Sequence, residues 1–233
     1  MSATRKLLLP LALTLAIAAC SKPADTAAPA ADAAAPATTE QAATPAADAA
    51  AAAAPAAEAI KIASGTYKLD PTHTDVLAQW SHFGFSNPSA HFGNVEGTLV
   101  YNAEDVTKST VEVKLPLSGL NSFTAKFDEH LKSADFFDVE KFPTITFKST
   151  SVKEVAKGKL EVTGDFTLRG VTRRITIPIT NAGTQPGMQP GSVIAGFIDG
   201  AVTINRNDYG IKYGPGVLGD DVAISLNIEA GKK

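Results

Sequence analysis

From about residue 65 onward, apolar and polar residues alternate along most of the chain. Tyr67 and Leu69 fall on one face, with Lys68 opposite. Val76, Ala78, Trp80 and His82 alternate with Asp75, Leu77, Gln79, Ser81 and Phe83, and Val95, Gly97, Leu99 and Tyr101 alternate with Glu96, Thr98 and Val100. The same period of two runs through 111–115, 145–149, 160–168 and 171–179, and further strands are expected over about 192–204 and 221–229. Such a pattern gives each strand one dry and one wet face, as antiparallel sheets require. One segment changes period. Phe123, Phe127 and Leu131 recur at i, i+4 and i+8 and predict a single helix over 123–133. The segment 181–191, with three Gly and two Pro, reads as a longer loop.

About eight or nine strands in a folded part of some 170 residues suit a sandwich or a closed barrel. Several inward positions are small: Ala78, Gly97 and Gly164. A barrel of about eight strands lined partly by small residues has room for one small ligand. A glycine inside a strand equally marks a bulge or a barrel corner.

Composition divides the chain before any of this begins. None of the first 60 residues is aromatic, whereas all 16 aromatics lie in the other 173. Between 21 and 60 there are 22 Ala and 5 Pro, so that segment has almost nothing to bury and cannot repay the entropy of ordering. A disordered tether is therefore expected over 20–60, with a single domain over 61–233. As a flexible coil, 40 residues span roughly 35 Å.

Residues 1–19 read as a secretory signal peptide. Arg5 and Lys6 form its basic start, and residues 7–17 form an apolar run too short to span a bilayer. Ile17-Ala18-Ala19-Cys20 then resembles a bacterial lipobox, with Cys20 as the lipidated residue. As the sole cysteine, Cys20 also excludes an internal disulfide. Ser21 rather than Asp follows it, and by analogy with bacterial lipoproteins this points to the outer membrane, with the domain in the periplasm.

Charge excludes one class of partner. The segment 61–233 carries 18 Lys and Arg against 19 Asp and Glu, with no basic stripe, so no nucleic-acid footprint is present. Gly214-Pro215-Gly216-Val217-Leu218-Gly219 matches G-x-G-x-x-G only in letters, because a strand rather than a helix follows and too little chain remains for a βαβ unit. No G-x-S-x-G elbow occurs. The four His, at 73, 82, 91 and 130, lack the close pairing of a zinc site. Neither a metal nor a cofactor is expected.

Several longer motifs are specific. Tyr67-Lys68-Leu69-Asp70-Pro71-Thr72-His73-Thr74 and Trp80-Ser81-His82-Phe83-Gly84-Phe85-Ser86 resemble the opening of the YceI family. Asp128-Glu129-His130-Leu131-Lys132-Ser133-Ala134-Asp135-Phe136-Phe137-Asp138 and Lys141-Phe142-Pro143-Thr144-Ile145-Thr146-Phe147 are similar to its most recognisable stretch. Gly164-Asp165-Phe166-Thr167-Leu168-Arg169-Gly170-Val171-Thr172 and Ile204-Asn205-Arg206-Asn207-Asp208-Tyr209-Gly210 are similar to later ones. The resemblance covers roughly 65–230. It implies an all-β fold, an antiparallel lipocalin-like barrel with one short helix, enclosing an apolar cavity for an isoprenoid or similar amphiphilic lipid. It implies a binding or carrier protein rather than an enzyme. Two departures stand out: Thr74 where the family often has Ser, and Phe127 where it often has Arg. Lys126 or Lys132 could supply the missing cation.

The residues assigned to ligand binding are His73, Trp80, His82, His130, Phe136, Phe147, Arg169 and Arg206. Each polar member also has a structural reading. His82 is either a hydrogen-bonded core histidine or a polar anchor in the cavity. His73 and His130 either knot turns and helix to the barrel or read a head group at its mouth. Arg169 and Arg206 either form ion pairs in turns or present a phosphate fork. The expected partners are the amphiphile, a membrane reached through Cys20, and a second copy of the chain. Two rivals stay open: a protein-binding module tied to envelope stress, and a hydrolase using the barrel-mouth histidines.

Overall fold

The structure, a computed structural model, describes residues 62–232. The signal peptide, the lipidated Cys20 and the tether all fall outside the described residues. The strands are β1 (Gly65–Leu69), β2 (Asp75–His82), β3 (Ser89–Phe92), β4 (Glu96–Tyr101), β5 (Thr110–Pro116), β6 (Leu120–Asn121), β7 (Thr144–Ala156), β8 (Lys159–Leu168), β9 (Val171–Pro186), β10 (Val193–Asn205) and β11 (Leu218–Lys232). One helix, α1 (Ala125–Lys132), lies between β6 and β7.

Eight strands close a ring in the order β1-β4-β5-β7-β8-β9-β10-β11, and β1 pairs back onto β11. Every pairing is antiparallel. The closure depends on the length of β11. Its last residues pair with β1, as Ala230 with Leu69, while its earlier part pairs with β2, as Leu226 with Val76 and Val222 with Trp80. β2 therefore leaves the ring as a branch, carrying β3 and β6 on its far edge.

Alternation predicts the inner face correctly. Val111, Val113, Val162, Ile175, Ile177 and Ile224 all point into the barrel, while Thr172, Arg174 and Thr176 on β9 are exposed. The inward glycines do not enlarge the space. A Cβ on Gly164 would stand 2.5 Å from Phe147 Cζ, and one on Gly97 would overlap Leu69 Cδ1. Each glycine thus makes room for a neighbouring large side chain. A shift of register in β7 opposite Gly164, between Ser149 and Ser151, also makes that position a bulge.

Two expected elements have different limits. The segment 181–191 is not one loop, because β9 runs on to Pro186. Its Asn and Gly form a bulge: Gly183 has φ +96° and donates its N–H to Asn181 Oδ1 at 2.8 Å, and the pairing with β10 slips there. Pro186 sits at the strand end, where its missing N–H costs little. The helix begins at Ala125, and Phe123 lies outside it at φ +63° and 75% exposed. The apolar stripe therefore reduces to Phe127 and Leu131, of which Leu131 is buried.

Candidate functional site

Two spaces lie along the inner face of β2, β10 and β11. The first, inside the barrel, is a cavity of about 130 Å³ lined almost wholly by Val, Leu, Ile and Phe side chains, including Phe147. The second is a cleft of about 620 Å³ at one end, lined by Trp80, His82, Ser86, Pro88, Phe127, His130, Phe136, Tyr213, Gly214, Val217 and Leu218. They share no lining residue. In register, Val202 pairs with Ile224 and Ile224 with Ala78, which is the last row of the cavity. The next row is Ile204, Val222 and Trp80. That row separates the two spaces, and its Trp80 already faces the cleft.

Each wall of the cleft has a local cause. Trp80 and His82 alternate with outward residues at the end of β2. Phe127 projects from α1, and its ring lies 6.1 Å from Trp80. His130, at the end of α1, meets Phe136 edge-on at 4.9 Å and Tyr213 at 5.0 Å, and its Nε2 lies 3.4 Å from Asp135 Oδ2. His82 has its main chain in a bridge to Ser86, while no described residue hydrogen-bonds its imidazole. No Lys or Arg side chain lines the cleft.

The two arginines stand behind these walls. Arg206 is 4% exposed and its guanidinium is fully engaged. Nε donates to Gly219 O, Nη1 to Ile211 O and Tyr213 O, and Nη2 to Leu218 O and Asp220 Oδ1, at 2.7–3.2 Å. These five bonds use all five guanidinium donors. Arg206 thereby folds the 211–220 loop, which supplies Tyr213, Val217 and Leu218 to the cleft. Arg169 occupies the tight β8–β9 turn at φ +50° and donates to Gly210 O and Ala134 O, tying that loop to the segment after α1.

His73 lies apart. In the β1–β2 turn its Nδ1 is 2.8 Å from Asp70 Oδ2 and 4.0 Å from Glu229 Oε2. Glu229 is eleven residues along β11 from Leu218, roughly 35 Å of strand away. Thr74 is buried beside it, exchanging hydrogen bonds with the Glu229 main chain. The structure thus brings Trp80, His82, His130 and Phe136 together in the cleft. It puts Phe147 in the cavity, both arginines behind the loops, and His73 at the far end.

The His73–Asp70 bond has a pH signature. That hydrogen bond holds the Asp70 carboxyl below its ordinary 3.8 and pushes the His73 imidazole above its ordinary 6.5. The raised histidine value stabilises fully below 6.5 and is lost as pH rises through it. The lowered carboxyl value stabilises above 3.8 and is lost as pH falls through it. Both side chains are more than a third exposed, so the effect is small. In His73→Gln, the slight decline of thermal midpoint above about pH 6.5 should vanish, and an unchanged midpoint–pH curve would contradict this.

Sequence reasoning did not assign Phe127, Tyr213, Val217 or Leu218 to the site. Phe127 carried a signal in the helical stripe, whereas Tyr213 and Val217 lie in a loop and Leu218 at the start of β11, a stretch whose course depends on Arg206.

Comparison with known proteins agrees with this architecture. Residues 67–230 match the family model described as YceI-like domain. A UPF0312 protein of Pseudomonas putida strain W619 is 34% identical over 169 residues, 72% of this chain and 86% of that protein. A UPF0312 protein of Pseudomonas savastanoi pv. phaseolicola is 36% identical over 161 residues, 69% of this chain and 82% of that protein. Among solved structures, BcnA of Burkholderia cenocepacia superposes with a TM-score of 0.61 at 18% identity, over 71% of this chain and 99% of its own. A polyisoprenoid binding domain from Saccharophagus degradans, implicated in plant cell wall breakdown, superposes with a TM-score of 0.55 at 14% identity, over 72% and 98%. With most of its length matched by the family model and by relatives above 30% identity, this chain belongs to the YceI-like domain family.

Proposed function

We propose that the protein binds and carries an isoprenoid-type amphiphile, with the apolar chain in the barrel and the head in the cleft. It does so in the periplasm, held to a membrane through Cys20. The observation that carries this reading is the apolar cavity itself, with a wider, aromatic-walled cleft on the other side of the Ile204–Val222–Trp80 row. Burying a prenyl chain there recovers about 25 cal/mol for each Å² removed from water. The Saccharophagus degradans neighbour, described as a polyisoprenoid binding domain, supports the choice of ligand class.

The geometry adds two details. A cavity of 130 Å³ has room for about four water-sized groups, at roughly 30 Å³ each. A longer chain must run past the Ile204–Val222–Trp80 row into the cleft. With His82, His130, Ser86 and Tyr213 as its polar groups and no Lys or Arg in its lining, the cleft suits a neutral head better than a diphosphate.

Trp80, the sole tryptophan, reports on this directly. Titration of the protein with a neutral prenol should shift Trp80 emission, and the corresponding prenyl diphosphate should bind less tightly. A tightly bound prenol that leaves the emission untouched would overturn the placement of the chain past Trp80.

A further inference from the structure

The turn that leaves β2 is built in an unusual way. His82 accepts the N–H of Phe85 at 3.0 Å and donates its own N–H to Ser86 O at 2.8 Å. The two central residues, Phe83 and Gly84, have φ +53° and +71°. This is the sign pattern of a type I′ hairpin turn, whose first central position favours Asn, Asp or Gly. A bulky residue at positive φ is a backbone outlier. Here it holds an aromatic ring out of the fold: Phe83 is 55% exposed and Phe85 is 92% exposed, with ring centroids 6.3 Å apart. Strain spent on exposing apolar surface points to a use for that surface.

Its position suggests the use. His82 and Ser86, at the two feet of the turn, line the cleft. Phe83 N–H donates to Val217 O at 2.7 Å, fixing the turn against the loop that forms the opposite wall. Tyr213, 46% exposed, stands in that wall. The two phenyl rings offer on the order of 300 Å² of apolar area. A stable protein–protein interface needs about 800 Å² from each partner. The patch is too small for that, and its size fits aromatic rings seated at the boundary between headgroups and acyl chains.

We infer that Phe83 and Phe85 dock the barrel on a lipid bilayer with the cleft mouth against the surface, so that an amphiphile can pass between bilayer and cleft without crossing water. The passage rests on the carrier reading above, whereas the docking does not. The other end of the barrel provides a control. Val155 is 57% exposed near the β7–β8 turn, where Lys159 pairs with Thr180 and Thr180 with Ile198, seven residues along β10 from Asn205.

The test uses the full chain with a Trp80→Phe background and either Phe85→Trp or Val155→Trp. Each is mixed with phosphatidylcholine vesicles carrying brominated acyl chains. The indole introduced by Phe85→Trp should shift to shorter wavelength and be quenched, and that introduced by Val155→Trp should not. Equal quenching of both, or of neither, overturns the docking. A second variant, Phe83→Asn with Phe85→Ser, keeps the turn because Asn tolerates positive φ, and it should melt no lower than the parent. It should slow passage of a neutral prenol between vesicles by about tenfold or more while binding as much prenol in detergent-free solution. Passage at the parental rate overturns the proposal. Failure of the parent itself to bind prenol would instead sink the carrier reading and leave the quenching result to decide docking by itself.

Discussion

Arg206→Ala should lower the unfolding free energy by about 3–5 kcal/mol, the largest loss expected from any single polar side chain described here. Arg206 is 4% exposed, and its only acidic partner among the described residues is Asp220, which is itself largely in water. Four of its five bonds go to main-chain carbonyls of the 211–219 segment. Removing it leaves those carbonyls without donors and opens a hole where the side chain lay. An unsatisfied buried polar group costs about 1–3 kcal/mol, and carbonyls near the surface recover part of that from water. Arg206→Lys keeps the charge but offers three donors in place of five, so it should fall between parent and alanine. Denaturant unfolding reads the stability. Trp80 emission in the folded variant reads whether Val217 and Leu218 still wall the cleft. A change within about 1 kcal/mol in Arg206→Ala would mean that the loop holds its course without the arginine.

That arginine also shows where reading a sequence stops. The inner face was legible wherever a strand obeys a strict period of two, as at Val111, Val113, Val162 and Ile177. Branching was not legible, because β2 alternates like any barrel strand. Only the fifteen residues of β11 show that it can serve β1 at one end and β2 at the other. The Gly and Pro of 181–191 look alike in a loop and in a bulged strand, since both accommodate positive φ and tolerate a residue with no N–H donor. Alternation put Trp80 and His82 on the inward face of β2, and family resemblance and residue type singled out His130 and Phe136, but nothing in periodicity places α1 against β2. For Arg206, a cation beside Gly and Asp in a turn reads the same whether it binds a ligand or loop carbonyls. Counting partners in three dimensions distinguishes the two.

Val162→Phe should abolish retention of a long amphiphile while leaving the barrel folded. Val162 and Ile177 are cross-strand partners, and both line the cavity. A phenyl ring there occupies space that is otherwise empty, so overpacking strain should stay within about 1–3 kcal/mol. The lost capacity is far larger in effect, because a ring at Val162 takes up much of a cavity of only about 130 Å³. Val155→Phe adds the same ring to the exposed end of β7 and should retain ligand as the parent does. Retention that survives Val162→Phe would mean that the chain lies in the cleft alone.

The central claim is that the barrel interior holds an isoprenoid-type chain. Native mass spectrometry of the protein purified from its own membranes, before and after extraction with organic solvent, tests this most directly. The account predicts one non-covalent amphiphile per chain, lost on extraction and absent from Val162→Phe. An empty barrel before extraction, from every membrane source tried, would contradict it.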